Sequence, residues 1–293
     1  MNIKDSVKSV RLITDSVAQI PSTIAQQLNI AIVPYSVTIK NETYLDGVNL
    51  QPDELYRRMR MEKVIPKTAA PSPGMYEQTM LDCIRDGAGS ILCIVLSSNL
   101  SGSYNSVKQA AALIHGDHPD VPIEVFDSKQ AAISEGFIAI EAAKAAMNGA
   151  DLIEVSSVAH KVQKRVGIVV SFDTLEYLAL GGRIGKAAYL LGNLIDIKPI
   201  ITLDADGMVD PIGKVRGNQK AFEAIIDYVE KMIAGCSHLK LALMDADAAE
   251  RAEALKEMAI QRLKPNELIT TSITPVMGAH TGPGLVGLGY YFK

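Results

Sequence analysis

Residues 90–97 read S-I-L-C-I-V-L-S, an unbroken apolar row between two serines. A helix crossing a membrane needs about 20 such residues, so this run is too short to span one. It does not alternate either, so it does not suit a strand with one wet face. A strand covered on both sides fits best, and covering both sides takes helices. The neighbouring sequence supplies them. Val10–Thr14, Ile30–Pro34 and Val121–Phe126 read as further strands. Pro21–Leu28, Gly74–Arg85, Ser103–Ile114 and the Ala-rich Gln130–Met147 read as helices between them. Pro52–Met61 adds another helix and Ser36–Tyr44 a hairpin around Lys40-Asn41. This strand–helix alternation predicts a parallel sheet.

The rhythm changes near residue 160. Val166–Phe172, Ile197–Leu203, Met208–Gly213, Lys240–Met244 and Leu268–Ile273 read as strands, with Asp204-Ala205-Asp206-Gly207 as a hairpin turn. Thr174–Leu180, Ala221–Ile233 and Ala248–Leu263 read as helices. At 293 residues the chain is long for one compact core. The expected fold is therefore α/β with two domains. An N-terminal parallel-sheet α/β domain covers 1–150 and a C-terminal α+β domain covers 151–293. The boundary falls near Gly149–Asp151.

Composition narrows the function. The formal net charge is −4 and no Lys/Arg run occurs, which argues against nucleic acid as the main partner. Cys83, Cys93 and Cys236 form no C-x-x-C pair and suit free thiols in a reducing compartment. Met1–Ser9 is polar and lacks the apolar core of a signal peptide, and no transmembrane stretch occurs, so a cytoplasmic protein is expected.

Four polar clusters end apolar strands or fill small-residue loops: Thr14-Asp15-Ser16, Thr68–Gly74, Ser97–Gly102 and Gly278–Gly284. In open α/β sheets, ligands sit beyond the carboxyl ends of strands. Ser97–Gly102 follows a strand and opens a helix, so its hydroxyls and free N–H groups suit an anion, or else Ser101 simply caps the helix. Gly282–Gly287 matches G-x-G-x-x-G only formally, because no helix follows it. His280 lies among small residues and is sterically reachable, although a lone histidine is more often structural. His115 and His118 make weak zinc ligands, and the Asp204–Gly207 turn lacks the remaining spacing of a calcium loop. Neither a G-x-S-x-G elbow nor a P-loop occurs, so no cofactor or metal is expected.

Taken together these pieces resemble the DegV family, which includes the fatty-acid-binding subunits of bacterial fatty acid kinase. The matching residues are Thr14-Asp15-Ser16, Ile32-Val33-Pro34, Thr68 through Pro71-Ser72, Ser97 through Tyr104, Asp127-Ser128, Leu180 through Ile184, Lys198-Pro199-Ile200 and His280 through Gly284. They run in family order over nearly the whole chain. The resemblance implies a two-domain protein with a lipid tunnel between or beneath the domains, the fatty acid site lying between them, and no catalysis of its own. It would bind a long-chain fatty acid such as palmitate, stearate or oleate and present the carboxylate to a separate kinase subunit, a step serving phospholipid metabolism. Carried over by position, Thr68 opens the T-S-x-P-S segment, Ser98 is the second serine of S-S-x-L-S-G-[ST], and His280 is the histidine of H-x-G-P-G. These three are expected to hold the carboxylate, with Ser97, Asn99, Arg183 and Thr281 as supporting candidates. Ala69-Ala70 depart from the family's usual Ser-Gln. The expected partners are the fatty acid, the kinase subunit and, at most, a transient membrane contact. The competing expectation is a serine hydrolase using Ser98 or Ser101, with His280 as base and Asp15 or Asp127 orienting it.

Overall fold

The computed structural model describes residues 9–191 and 196–293. The first half of the chain runs β1 (Val10–Asp15), α1 (Ser22–Gln27), β2 (Ile30–Val33), the hairpin β3 (Ser36–Ile39) and β4 (Glu42–Leu45), α2 (Pro52–Glu62), β5 (Lys67–Ala69), α3 (Pro73–Arg85), β6 (Ser90–Val95), α4 (Ser103–Asp117), β7 (Ile123–Asp127), α5 (Ile133–Met147) and α6 (Leu152–Gln163). The second half runs β8 (Val166–Ser171), α7 (Glu176–Leu180), β9 (Ile197–Leu203), β10 (Val209–Arg216), α8 (Asn218–Met232), β11 (Leu239–Asp245), α9 (Ala249–Leu263), β12 (Glu267–Ser272), α10 (Pro275–Thr281) and β13 (Val286–Phe292). The fold is α/β. One sheet has the order β2-β1-β6-β7 and is parallel throughout. A larger mixed sheet has the order β10-β9-β8-β13-β11-β12, antiparallel except for the β11–β12 pair. A small antiparallel sheet, β4-β3-β5, is separate from both.

β6 shows why its sequence is apolar without alternation. Ile91, Cys93 and Val95 pack outward on Tyr76 and Met80 of α3 and on Val107, Ala110 and Ile114 of α4. Leu92, Ile94 and Leu96 belong to the central core. The mixed sheet repeats the scheme. Val169 of β8 faces α8 and α9, while Ile168 and Val170 face inward. Residues 133–143 of α5 are buried on all sides, and the helix packs on β1, β6, β8 and β13. One central core thus runs continuously between the two sheets.

Two helices were not expected from the sequence. Asp151 caps α6 in a capping box with Glu154, so the residues expected as a domain boundary start a helix that packs on α5 and β6. Gly278–Gly284, expected as a loop, contains the end of α10, so His280 sits on a helical turn. The Asp204–Gly207 turn forms as expected, with Asp204 Oδ1 accepting from Asp206 N and Met208 N.

That turn docks on the loop after β6. Gly207 has φ +77°, and a Cβ there would run into Ser97 Oγ and the Lys129 carbonyl oxygen. Gly207→Ala should therefore destabilise the protein by about 1–3 kcal/mol in chemical denaturation, from backbone strain and collision together. Gly116→Ala, in open space within α4, should be neutral or stabilising by up to about 1 kcal/mol.

Candidate functional site

The loops at the carboxyl ends of β1 and β6 converge on Asp15. Its carboxylate is fully buried. Oδ1 accepts from Val17 N at 3.0 Å, and Oδ2 accepts from Leu96 N and from Ser103 Oγ, each at 3.2 Å. Burial pushes the carboxyl up to about 7, against the pull of these donors. Ser16 Oγ accepts from Tyr35 N at 3.1 Å. The Thr14-Asp15-Ser16 cluster therefore ties the 96–103 loop and Tyr35 to β1.

Between the sheets lies an apolar cavity enclosing about 990 Å³ of unfilled space, part of it open to solvent. Its walls come from both halves of the chain and include Leu96, Ile168, Val170, Phe172, Met244 and Leu285. Thr68, Ser101, Arg183, His280, Thr281 and Tyr35 supply polar groups. Thr68 Oγ1 and His280 Nε2 are 2.7 Å apart, although 212 positions separate them in the chain. Burial, helped by the positive charge of Arg183, pushes the imidazole down to about 4, so the ring is neutral at pH 7. His280 Nδ1 is buried without a partner and faces Gly181, where a Cβ would strike it. With the proton on Nε2, the ring donates to Thr68, and the Thr68 hydroxyl is left to donate onward.

Ser101 is the second donor. Its Oγ accepts from Tyr35 OH at 2.8 Å and from Ser103 N at 3.2 Å. A hydroxyl has two lone pairs and one proton, so Ser101 has a proton to give. Tyr35 stays protonated because burial and the nearby Asp15 push its phenol further up. Arg183 lies at the exposed edge of the cavity. Its Nε donates to the Leu100 carbonyl at 3.1 Å and its Nη1 to the Gly181 carbonyl at 2.6 Å. Those bonds leave other guanidinium N–H groups free for a ligand anion.

Of the residues expected around a carboxylate, Thr68, His280, Arg183 and Thr281 line this cavity. Ser98 does not. It is exposed, its Oγ donates to Asp127 Oδ2 at 2.6 Å, and its backbone N donates to Asp127 Oδ1. Asp127 ends β7, next to the loop, and captures the serine before it can turn toward the cavity. Ser97 is buried and donates to the Gly207 carbonyl at 2.9 Å, while Asn99 Nδ2 donates to the Asp206 carbonyl at 2.8 Å. The first three residues of S-S-N-L-S-G therefore hold the β9–β10 turn and β7, and Ser101 faces the ligand space. Ser101 and Tyr35 also line the cavity and were not among the residues expected there. The signal for Ser101 was its place two residues before the helix, where its oxygen accepts from Ser103 N. Nothing in the local sequence marks Tyr35.

The hydrolase arrangement is not formed. His280 Nε2 pairs with Thr68 and Nδ1 with nothing, so no carboxylate orients the ring. Asp127 holds Ser98, and Asp15 holds backbone and Ser103. Among the described residues, no group of three or more His, Cys, Asp or Glu side chains is placed to hold a metal, and no helix is long and apolar enough to cross a membrane.

A family model described as an uncharacterised protein of the DegV family matches residues 9–293. A DegV domain-containing protein of Clostridium acetobutylicum is 32% identical over 283 residues, covering 97% of this chain and 98% of its own. Among solved structures, a DegV family protein from Thermus thermophilus described for its fatty acid binding superposes with a TM-score of 0.90 at 27% identity, covering 97% of this chain and 100% of its own. A stearic-acid-binding protein from Eubacterium ventriosum superposes with a TM-score of 0.89 at 26% identity, covering 97% and 98%.

The geometry separates Ser101 from Ser98. For a carboxylate ligand held in this cavity, Thr68→Val and Ser101→Ala should each weaken binding ~10- to 100-fold, equivalent to roughly 1–3 kcal/mol for a buried charge short of one donor. Ser98→Ala should leave the affinity of the folded protein within about twofold and lower only its melting temperature. A Ser98→Ala variant that loses as much affinity as Ser101→Ala would return Ser98 to the site.

Proposed function

The chain belongs to the DegV family, and from that premise we propose that it binds one long-chain fatty acid without covalent attachment. The acyl chain fills the apolar cavity and the carboxylate meets Thr68, Ser101 and His280. The observation that carries this reading is the cavity itself. Apolar side chains make most of its wall, Ser101 has a hydroxyl proton to donate, and Thr68 has one when the His280 proton is on Nε2. A carboxylate buried without donors is costly, and the same carboxylate facing fixed donors is not. About 14 buried methylenes at ~0.8 kcal/mol each contribute on the order of 11 kcal/mol before ordering costs. The fatty acids named for the relatives of known structure support the same chemistry here.

The polar end also has a mouth. Arg183 is exposed there, and its charge is felt as far in as His280. A ligand carboxylate held beside it is reachable from outside. In this reading the protein is a carrier that offers the carboxylate to a separate kinase subunit, which forms the acyl phosphate. The family resemblance supports that step. The arrangement at His280, which lacks an orienting acid, supports a binding role for the residue over a basic one.

Protein purified from a bacterial host should carry close to one equivalent of fatty acid, seen as a mass increment in native mass spectrometry and identified after extraction. Lipid-free protein that also fails to take up added oleate or palmitate would contradict the proposal.

A further inference from the structure

A second cavity, enclosing about 1000 Å³ of unfilled space that is partly open to solvent, lies next to the first. The turn after β1, the end of β2, the loop after β4 and the β12–α10 connection enclose it. Neither lysine nor arginine lines it. Three of its side chains carry a buried oxygen with no hydrogen-bond partner: Asp46 Oδ2, Gln19 Oε1 and Thr274 Oγ1. Asp46 and Gln19 are only 2% and 6% exposed, so these oxygens are unpaired in the interior and not at a wet surface. Their orientations are fixed. Asp46 Oδ1 accepts from Val276 N at 3.0 Å, and Gln19 Nε2 donates to the Ser272 carbonyl at 2.8 Å. The hydrogen bond from its Nε2 to the Ser272 carbonyl leaves the Gln19 side-chain carbonyl as the free end.

Unpaired buried acceptors cost about 1–3 kcal/mol each, so a cluster of them calls for a donor. Burial pushes the Asp46 carboxyl up to about 6, against the pull of the nearby Ser16 and Thr274 hydroxyls and of Val276 N. These are neutral donors, and no cation acts on a carboxylate that is charged at neutral pH. The missing partner must therefore bring hydrogen-bond donors and a positive charge. A hard divalent metal is a poor fit. Calcium takes about six to eight oxygens, and here both oxygens of the neighbouring Asp15 already accept from protein donors. An ammonium group offers three N–H donors and one charge, which matches three acceptor oxygens, one of them a carboxylate's. Ile20 also lines the cavity, and Ile32 and Val48, 37% and 64% exposed, give it apolar sides nearer solvent. Such sides suit the methylene stem of an amine, as they suit a lysine stem. We propose that this cavity is a binding site for a primary alkylammonium group, with Asp46, Gln19 and Thr274 receiving its nitrogen and Ile20, Ile32 and Val48 flanking its stem. The group would come from a free amine or from a lysine side chain, since both present the same head and stem.

Isothermal titration of the full-length protein with 1,5-diaminopentane and with Nα-acetyl-lysine amide tests the site. Saturable binding of either supports it, and the one that binds more tightly identifies the source. Asp46→Asn keeps the shape and an acceptor for Val276 N while removing the charge, and should weaken amine binding at least tenfold. Thr274→Val removes one oxygen that caps nothing within the protein, and should weaken binding severalfold even if Asp46→Asn folds poorly. Fatty-acid content measured on the same samples should stay at the wild-type level. The proposal is overturned if the wild-type protein binds neither amine, if both variants bind amines as well as the wild type, or if calcium or magnesium binds at Asp46 while amines do not.

Discussion

The contact between Thr68 and His280 is the constraint on which the site depends. It joins β5 of the small sheet to the last turn of α10, across the mouth of an apolar cavity. Neither polar group is well solvated there, so each needs the other. The rest of the fold can be read as what it takes to bring them together. The small sheet pairs β5 with β3, which places Thr68 opposite Val37. α10 is held at its start by Asp46 and packs on α2 and α7, which fixes His280 at its other end. Gly181 leaves room for the unpaired face of the imidazole.

Much of the scaffold was legible in the sequence because burial on both faces writes itself as an unbroken apolar run. β6 and β8 carry that signature, and the structure gives each a helical layer outside and the common core inside. Legibility failed where a local signal had two meanings. Asp151 and Glu154 are spaced as a capping box, but Gly149–Asp151 also suits a domain boundary, which hides the helix that follows. The small residues around His280 read as a loop, yet they continue a short helix because large side chains cannot fit there: a Cβ at Gly278 would strike Leu55 and Tyr56 of α2.

The site itself was half legible. Thr68 and His280 stood out because polar residues in small-residue segments are easy to see. Which serine of S-S-N-L-S-G faces the cavity was not legible, since the answer depends on Asp127 and Gly207, 29 and 110 positions away from the serines they hold. Those partners occupy Ser98 and Ser97 and leave Ser101 to the ligand space. The same alternation shapes the β12–α10 connection. Ile273 and Val276 line the apolar cavity, while Ser272 and Thr274 line the second one. A single strip of backbone is thus the wall between an apolar chamber and an acidic one.

The central claim is that a fatty acid lies in the apolar cavity with its carboxylate at Thr68 and Ser101. An experimental structure of the complex with a terminally brominated fatty acid tests it most directly, because anomalous scattering locates the tail independently of the head. The account predicts bromine among the apolar wall residues and the carboxylate within about 3.2 Å of Thr68 Oγ1 and Ser101 Oγ. Bromine outside this cavity, or a carboxylate bound at Ser98 beside Asp127, would contradict it.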